Sequence, residues 1–157
     1  MKIELWWIGK TNTAYLKDGI AIYTKRLSKY CKFEIKELSD QKNAKNFSNE
    51  ELKSKEGKDI LKRLDTKDYL ILLDENGKTF SSTAFADQIE KLQLASYNKV
   101  IFIIGGAYGF SEQVYERAQS KISLSKMTFS HQMVRLIFTE QLYRGYSILN
   151  NEPYHHQ

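Results

Sequence analysis

A chain of 157 residues is the size of one domain, and a 41% apolar fraction with 8 Phe, 10 Tyr and 2 Trp is enough to build a core. A single cysteine, Cys31, excludes an intramolecular disulfide and agrees with a reducing compartment. The net charge of +5 favours an anionic partner and is unevenly placed: residues 1–36 hold eight Lys/Arg against three Asp/Glu, residues 37–99 eleven against twelve. A solvated lysine-rich helix face and an RNA-facing surface both fit that bias. No apolar run reaches the ~18 residues of a membrane span. The first residues lack a basic segment followed by a long apolar one, so no signal peptide and no membrane association are expected. The expected location is cytoplasmic.

Residues 2–8 read as a strand closed by Gly9. Residues 13–30 read as an amphipathic helix, with Leu16, Ile20, Tyr23 and Leu27 at helical spacing. Residues 32–38 alternate and give a second strand, with Cys31 packed as a small residue at its edge. Residues 39–49 are polar and read as a loop. Ser48 with Glu51 forms a capping box for a helix to about Leu64. The apolar run 69–73 is a strand ending in a turn at Asp74-Glu75-Asn76-Gly77. Ser82 or Thr83 opens a helix to about Leu94. Residues 100–104 are another apolar strand, ending at Gly105-Gly106-Ala107-Tyr108-Gly109. Ser111 caps a helix to about Ser120, residues 122–124 are a brief strand, residues 125–130 a loop, and residues 131–149 the last helix.

Strands and helices alternate, and two strands are apolar throughout, the mark of burial on both faces. The pattern predicts one α/β domain over residues 1–157, a mostly parallel sheet flanked by helices. The last helix carries apolar side chains around nearly its whole circumference. A surface helix leaves one face polar, so this one is sandwiched, either by a second subunit in a homodimer or as the central helix of a monomer.

Ligands of open α/β sheets bind beyond the carboxyl ends of strands, here after Leu73, Ile104 and Leu124. Gly105, Gly106 and Gly109 permit close backbone approach, although the spacing is neither a dinucleotide fingerprint nor a Walker loop. His131 and Arg135 lie one helical turn apart at a helix start, where a phosphate is favoured. Glu140 and Arg144 have the spacing of an ordinary i,i+4 pair. The three His lack metal-motif partners, and no nucleophile elbow occurs, so no metal is expected.

The ordered set Leu72-Leu73-Asp74 with Gly77-Lys78, Phe102 to Gly106 with Gly109, Leu124 to Phe129, His131 to Arg135, Glu140 to Arg144 and Pro153-Tyr154-His155 resembles the RlmH family over the whole chain. These are large-subunit ribosomal RNA pseudouridine N3-methyltransferases of the SPOUT superfamily. Gly9-Lys10 and Glu56-Gly57 also fit. The resemblance implies a C-terminal trefoil knot, which pattern reading alone would not propose, and a homodimer acting on ribosomal RNA, on the assembled ribosome. It implies S-adenosyl-L-methionine as cofactor, held by Leu73, Gly105, Gly106 and the run Leu124, Ser125, Lys126, Met127, Thr128 and Phe129. In this reading orientation is the main contribution of the protein, worth roughly 7–11 kcal/mol in a well-aligned pair. His131, His155 or a water would accept the N3 proton. Arg135 and Arg144 would bind phosphate or the N3 anion, and Tyr154 would contact the base. The family's tail approaches the site of the partner subunit. This chain departs from the family at Ser130, at Ala107-Tyr108, and at His156, which stands where a basic residue is usual. A SPOUT enzyme of other specificity and a non-catalytic RNA-binding module are the alternative readings.

Overall fold

The computed structural model describes residues 1–156. The elements in chain order are β1 (Lys2–Ile8), α1 (Ala14–Leu27), β2 (Lys32–Leu38), a 3-10 turn (Ala44–Asn46), α2 (Asn49–Lys62), β3 (Tyr69–Thr79), α3 (Ser82–Leu94), β4 (Lys99–Ile104), α4 (Glu112–Arg117), β5 (Ser120–Ser123) and α5 (His131–Leu149). The five strands form one sheet in the order β2-β1-β4-β3-β5, and every pairing is parallel. Successive side chains of a strand point to opposite faces, so the sheet divides its own residues between two cores. Leu5, Trp7, Ile71, Leu73, Phe102 and Ile104 pack with Phe85, Ile89, Phe138, Leu142 and Tyr146 under α1, α3 and α5. Trp6, Leu70, Leu72, Ile101 and Ile103 pack with Ile60, Phe110 and Val114 under α2 and α4. The apolar strands are therefore buried on both sides, which is why they carry no alternation.

Side-chain caps set three of the helix starts anticipated from sequence. Ser48 accepts the Glu51 N–H (3.2 Å), Ser111 the Val114 N–H (3.4 Å) and Ser130 the Met133 N–H (3.2 Å). α3 opens at Ser82, as expected, and its cap is Ser81, with the Ala84 N–H at 3.1 Å. Three elements move at their ends. α1 ends at Leu27 rather than residue 30, α4 ends at Arg117 rather than Ser120, and β5 spans Ser120–Ser123 instead of 122–124.

The expected turn at 74–77 is instead a bulge inside a longer strand. Ile122 pairs with Leu73 and again with Lys78, and the intervening residues loop out of the ladder. Gly77 makes that crossing possible, because a Cβ there would lie 2.6 Å from the Ile122 backbone. Only tertiary contact with β5 extends the strand, so local turn chemistry gave the wrong end.

α5 packs between α1 and α3. Gly19 of α1 faces Leu136, and Gly145 faces Ile89 of α3, each at a separation that leaves no room for a Cβ. Phe138, Leu142 and Tyr146 are buried, whereas Met133, Ile137, Glu140, Arg144 and Ile148 form a half-buried outward strip.

Candidate active site

The carboxyl ends of β3, β4 and β5 open into a cleft of about 460 Å³. Its walls include Leu73, Gly105, Gly106, Leu124, Ser125, Met127, Thr128 and Phe129, so the three strand-end loops singled out in the sequence meet in one place. Lys126 belongs to the same loop but is exposed and lies outside the lining. The glycine turn is tight: the Gly109 N–H donates to the Gly106 carbonyl at 3.2 Å, and Gly109 has φ +84°. A Cβ on Gly105 would sit 3.1 Å from the Phe110 ring, and one on Gly106 would sit 2.6 Å from Glu56 Oε2. The backbone therefore forms this wall of the cleft, closely backed by the Phe110 ring and the Glu56 carboxylate.

The loop over 124–130 is held by its own serines. Ser123 donates to the Ser125 carbonyl (2.9 Å), and Ser125 Oγ accepts the Met127 N–H (2.9 Å). Leu124 packs against the core, whereas Phe129 and Met127 stand in the open, Met127 76% exposed. The bulge of β3 supplies a polar wall. Asp74 accepts the Asn76 N–H at 2.8 Å and a hydrogen bond from Tyr115, whose hydroxyl is pushed up to about 12 by burial and by Asp74. Asp74, Asn76, Tyr108, Phe110 and Tyr115 all line the cleft. Sequence reasoning missed them as site residues, because their approach depends on the bulge and on the packing of α4.

His131 begins α5 at the cleft mouth, exposed to solvent. It also lines a second, polar cleft of about 420 Å³ at the ends of β1 and β2, with Lys10, Asn12, Asp40 and Gln132. Arg135 does not share this surface, in contrast to the expectation of a phosphate contact. Only 1% exposed, it donates to the Ile8 carbonyl (2.9 Å), the Gly9 carbonyl (3.2 Å) and Thr11 Oγ1 (3.0 Å), with its guanidinium 4.9 Å from the Trp7 ring centre. One helical turn turns the side chain from the open end of α5 into the crevice between α5 and β1. Gln132 makes a matching clamp, accepting the Asn12 N–H and donating to the Lys10 carbonyl, both at 3.1 Å.

The remaining sequence-selected residues gather elsewhere. Arg144 forms an ion pair with Glu140 and approaches His155 Nδ1 at 3.1 Å, its guanidinium 4.8 Å from the Tyr154 ring centre. Tyr154 donates to Glu140 (2.9 Å) and its hydroxyl lies 3.2 Å from that of Tyr23. Burial, then Tyr23 and Glu140, raise the Tyr154 hydroxyl far above its usual range, so it stays protonated. A guanidinium can only donate, so His155 Nδ1 accepts, and a neutral ring then carries its proton on Nε2. That Nε2 and the Arg144 Nε are buried without partners. The cluster is thus a set of donors around a carboxylate, and its orphaned N–H groups call for an acceptor. Arg144 lies thirteen residues beyond His131, about 20 Å along the helix, so one chain does not bring the tail cluster to the cleft.

Among the described residues no group of His, Cys, Asp and Glu is placed to hold a metal ion, and no helix is long and apolar enough to cross a membrane. The family model described as "Predicted SPOUT methyltransferase" matches residues 1–155. The proteins named "Ribosomal RNA large subunit methyltransferase H" of Flavobacterium johnsoniae, Parabacteroides distasonis and Porphyromonas gingivalis are 57%, 54% and 46% identical to the chain, each over all of both chains. With the family model matching nearly the whole chain and these relatives matching it end to end, the chain belongs to the SPOUT methyltransferase family, among the ribosomal RNA large subunit methyltransferase H proteins.

Proposed function

We propose that the chain transfers a methyl group from S-adenosylmethionine to N3 of a pseudouridine in large-subunit ribosomal RNA, acting as a homodimer on the assembled ribosome. The observation that carries this reading is the single cleft formed by the β3, β4 and β5 loops, in a chain 46–57% identical over its full length to large-subunit rRNA methyltransferases. The residues fit such a cofactor. The cleft has the volume of a small-molecule site, and Gly105 and Gly106 let backbone groups reach an adenine where a Cβ would meet Phe110 or Glu56. The threading of the 124–130 loop as a trefoil knot belongs to the same proposal. The cofactor, when bound, supplies an electrophilic methyl group.

The chain's own residues do the rest. Ser125 and the backbone of 124–129 orient the ligand, and the bulge residues Asp74 and Asn76 of the same cleft offer polar contacts. His131, exposed at the mouth, is the group of this chain placed to accept the N3 proton, directly or through water. Arg144 and the Nε2–H of His155 stabilise the resulting N3 anion or a neighbouring carbonyl oxygen, and Tyr154 holds the base edge. This assigns His155 as a donor, since its Nδ1 is occupied by Arg144. The outward strip of α5 is the face for the second subunit, which brings the tail cluster of one chain to the cleft of the other.

The test is calorimetric titration with S-adenosylmethionine together with methyl transfer to ribosomes. Saturable binding, lost in Gly105→Trp because the ring meets Phe110, and methyl incorporation at a pseudouridine are the expected results. Binding that survives Gly105→Trp places the cofactor elsewhere, and absence of transfer to ribosomes by the folded protein overturns the activity.

A further inference from the structure

A third depression, of about 590 Å³, runs between α1 and the strands β1 and β2, outside the cleft described above. Its floor is apolar, from Trp7, Ile20, Ala21 and Ile35, and Lys10, Lys17 and Lys25 stand around it. The chain's uneven charge resolves here into two kinds of lysine. Lys2, Lys32 and Lys36 on the strands are paired with Glu4 and Glu34, so they are already neutralised. Lys10, Lys17 and Lys25 make no ion pair among the described residues and are exposed. The one carboxylate of the groove, Glu37, accepts a hydrogen bond from Trp7 at 3.3 Å. Thr24 also lines the groove, and its Oγ1 is buried without a partner.

The groove is not isolated. Lys10 and Glu37 line both it and the polar cleft at the ends of β1 and β2, and His131 lines both that cleft and the cofactor cleft. The three depressions therefore adjoin one another, from the proposed site of methyl transfer to the groove beside α1. Lys17 and Lys25 lie eight residues apart, about 12 Å along the helix, within reach of separate phosphates of one strand. The other side of α1 is already engaged, with Gly19 against Leu136 and Arg26 over Tyr143, so the groove faces away from the outward strip of α5.

We infer that the RNA strand flanking the target nucleotide leaves the cofactor cleft past His131 and docks in the groove beside α1, its phosphates on Lys10, Lys17 and Lys25. The proposal rests on the rRNA-methyltransferase reading above. Three cations without partners around an apolar floor match the two parts of single-stranded RNA, a charged backbone and bases whose faces are apolar.

The test compares Lys17→Ala/Lys25→Ala with Lys58→Ala/Lys62→Ala, which removes the same charge from exposed positions on α2. Fluorescence anisotropy reads the affinity for a labelled oligouridylate across a salt series, and methyl transfer to ribosomes is followed in parallel. The groove variant is expected to bind roughly tenfold more weakly, with a salt slope shallower by about 1.4, the value for two phosphate contacts on a single strand. Its loss in methyl transfer falls on KM for ribosomes, and its affinity for S-adenosylmethionine is that of the wild type. The α2 variant stays close to wild type in every reading. Equal losses in both variants, or an unchanged affinity and slope in the groove variant, overturn the proposal. A changed sedimentation coefficient with RNA affinity intact also overturns it, by giving the groove to a contact between copies. A wild type that binds RNA through these lysines yet transfers no methyl group leaves the groove standing and removes the activity instead.

Discussion

Glu56 sits on α2 with its carboxylate against the glycine turn, and burial followed by the charge of Asp40 pushes it up to about 7. Its folded value lies above the ordinary carboxylate range, so the folded chain holds a proton that the unfolded chain has released. Stability on this account falls as pH rises from about 4.5 through 7, the reverse of a salt-bridged carboxylate. Replacing Glu56 by Gln is expected to raise Tm at pH 8 by roughly 2–4 °C, discounted for partial exposure, and to leave it unchanged at pH 4.5. Thermal melts of both proteins at the two pH values check this, and an equal Tm at pH 8 counts against it. The sequence offered only the Glu56-Gly57 pair as part of a resemblance. The role of its carboxylate depends on α2 lying over the turn after β4, which no local pattern encodes. Cys31 behaves as its type and position indicated, half-buried beside the core, with its thiol raised by burial.

At the scale of elements, α5 is held to β1 by polar clamps as much as by apolar packing. Arg135 satisfies two carbonyls and a hydroxyl at the end of β1 and the start of the loop after it; burial lowers its basicity, with the charges of Glu37 and Asp40 acting against that. Arg135→Lys keeps the charge and loses the fork, so at least one buried carbonyl loses its donor, at a cost of about 1–3 kcal/mol. Faster hydrogen exchange at the amides of residues 9–12, with the rest of the sheet protected as before, is the expected signature. Uniform exchange would mean that the clamp is not local. The spacing of His131 and Arg135 was legible in the sequence, but which of them reaches solvent was not. A single turn of helix separates the cleft mouth from the interior, and the decision belongs to the approach of β1.

For the whole molecule, the distance between the tail cluster and the cleft makes the second subunit a part of the proposed site rather than an accessory. Mixed dimers test this directly. Gly105→Trp spoils the cleft and Arg144→Ala spoils the tail cluster, so each homodimer is inactive. After subunit exchange, half the dimers are mixed and each carries one intact site of two, so methyl transfer to ribosomes should return to about a quarter of wild type. No recovery after verified exchange means that the cleft and the tail of the same chain work together.

The sequence by itself determined the α/β class, the order of the elements and two of the four serine caps, Ser48 and Ser111. It also determined the three loops that converge on the cleft, because strand burial, capping and glycine turns are local chemistry repeated at fixed spacings. The resemblance along the whole chain supplied what local chemistry lacks, the family and its reaction. Tertiary structure alone decided that β3 bulges past β5 instead of turning, that Arg135 is inside, and that Asp74 and Tyr115 wall the cleft. It also set which lysines remain without partners. Each of these follows from contacts between residues far apart in the chain, where the free energy of packing overrides the preference of the local segment.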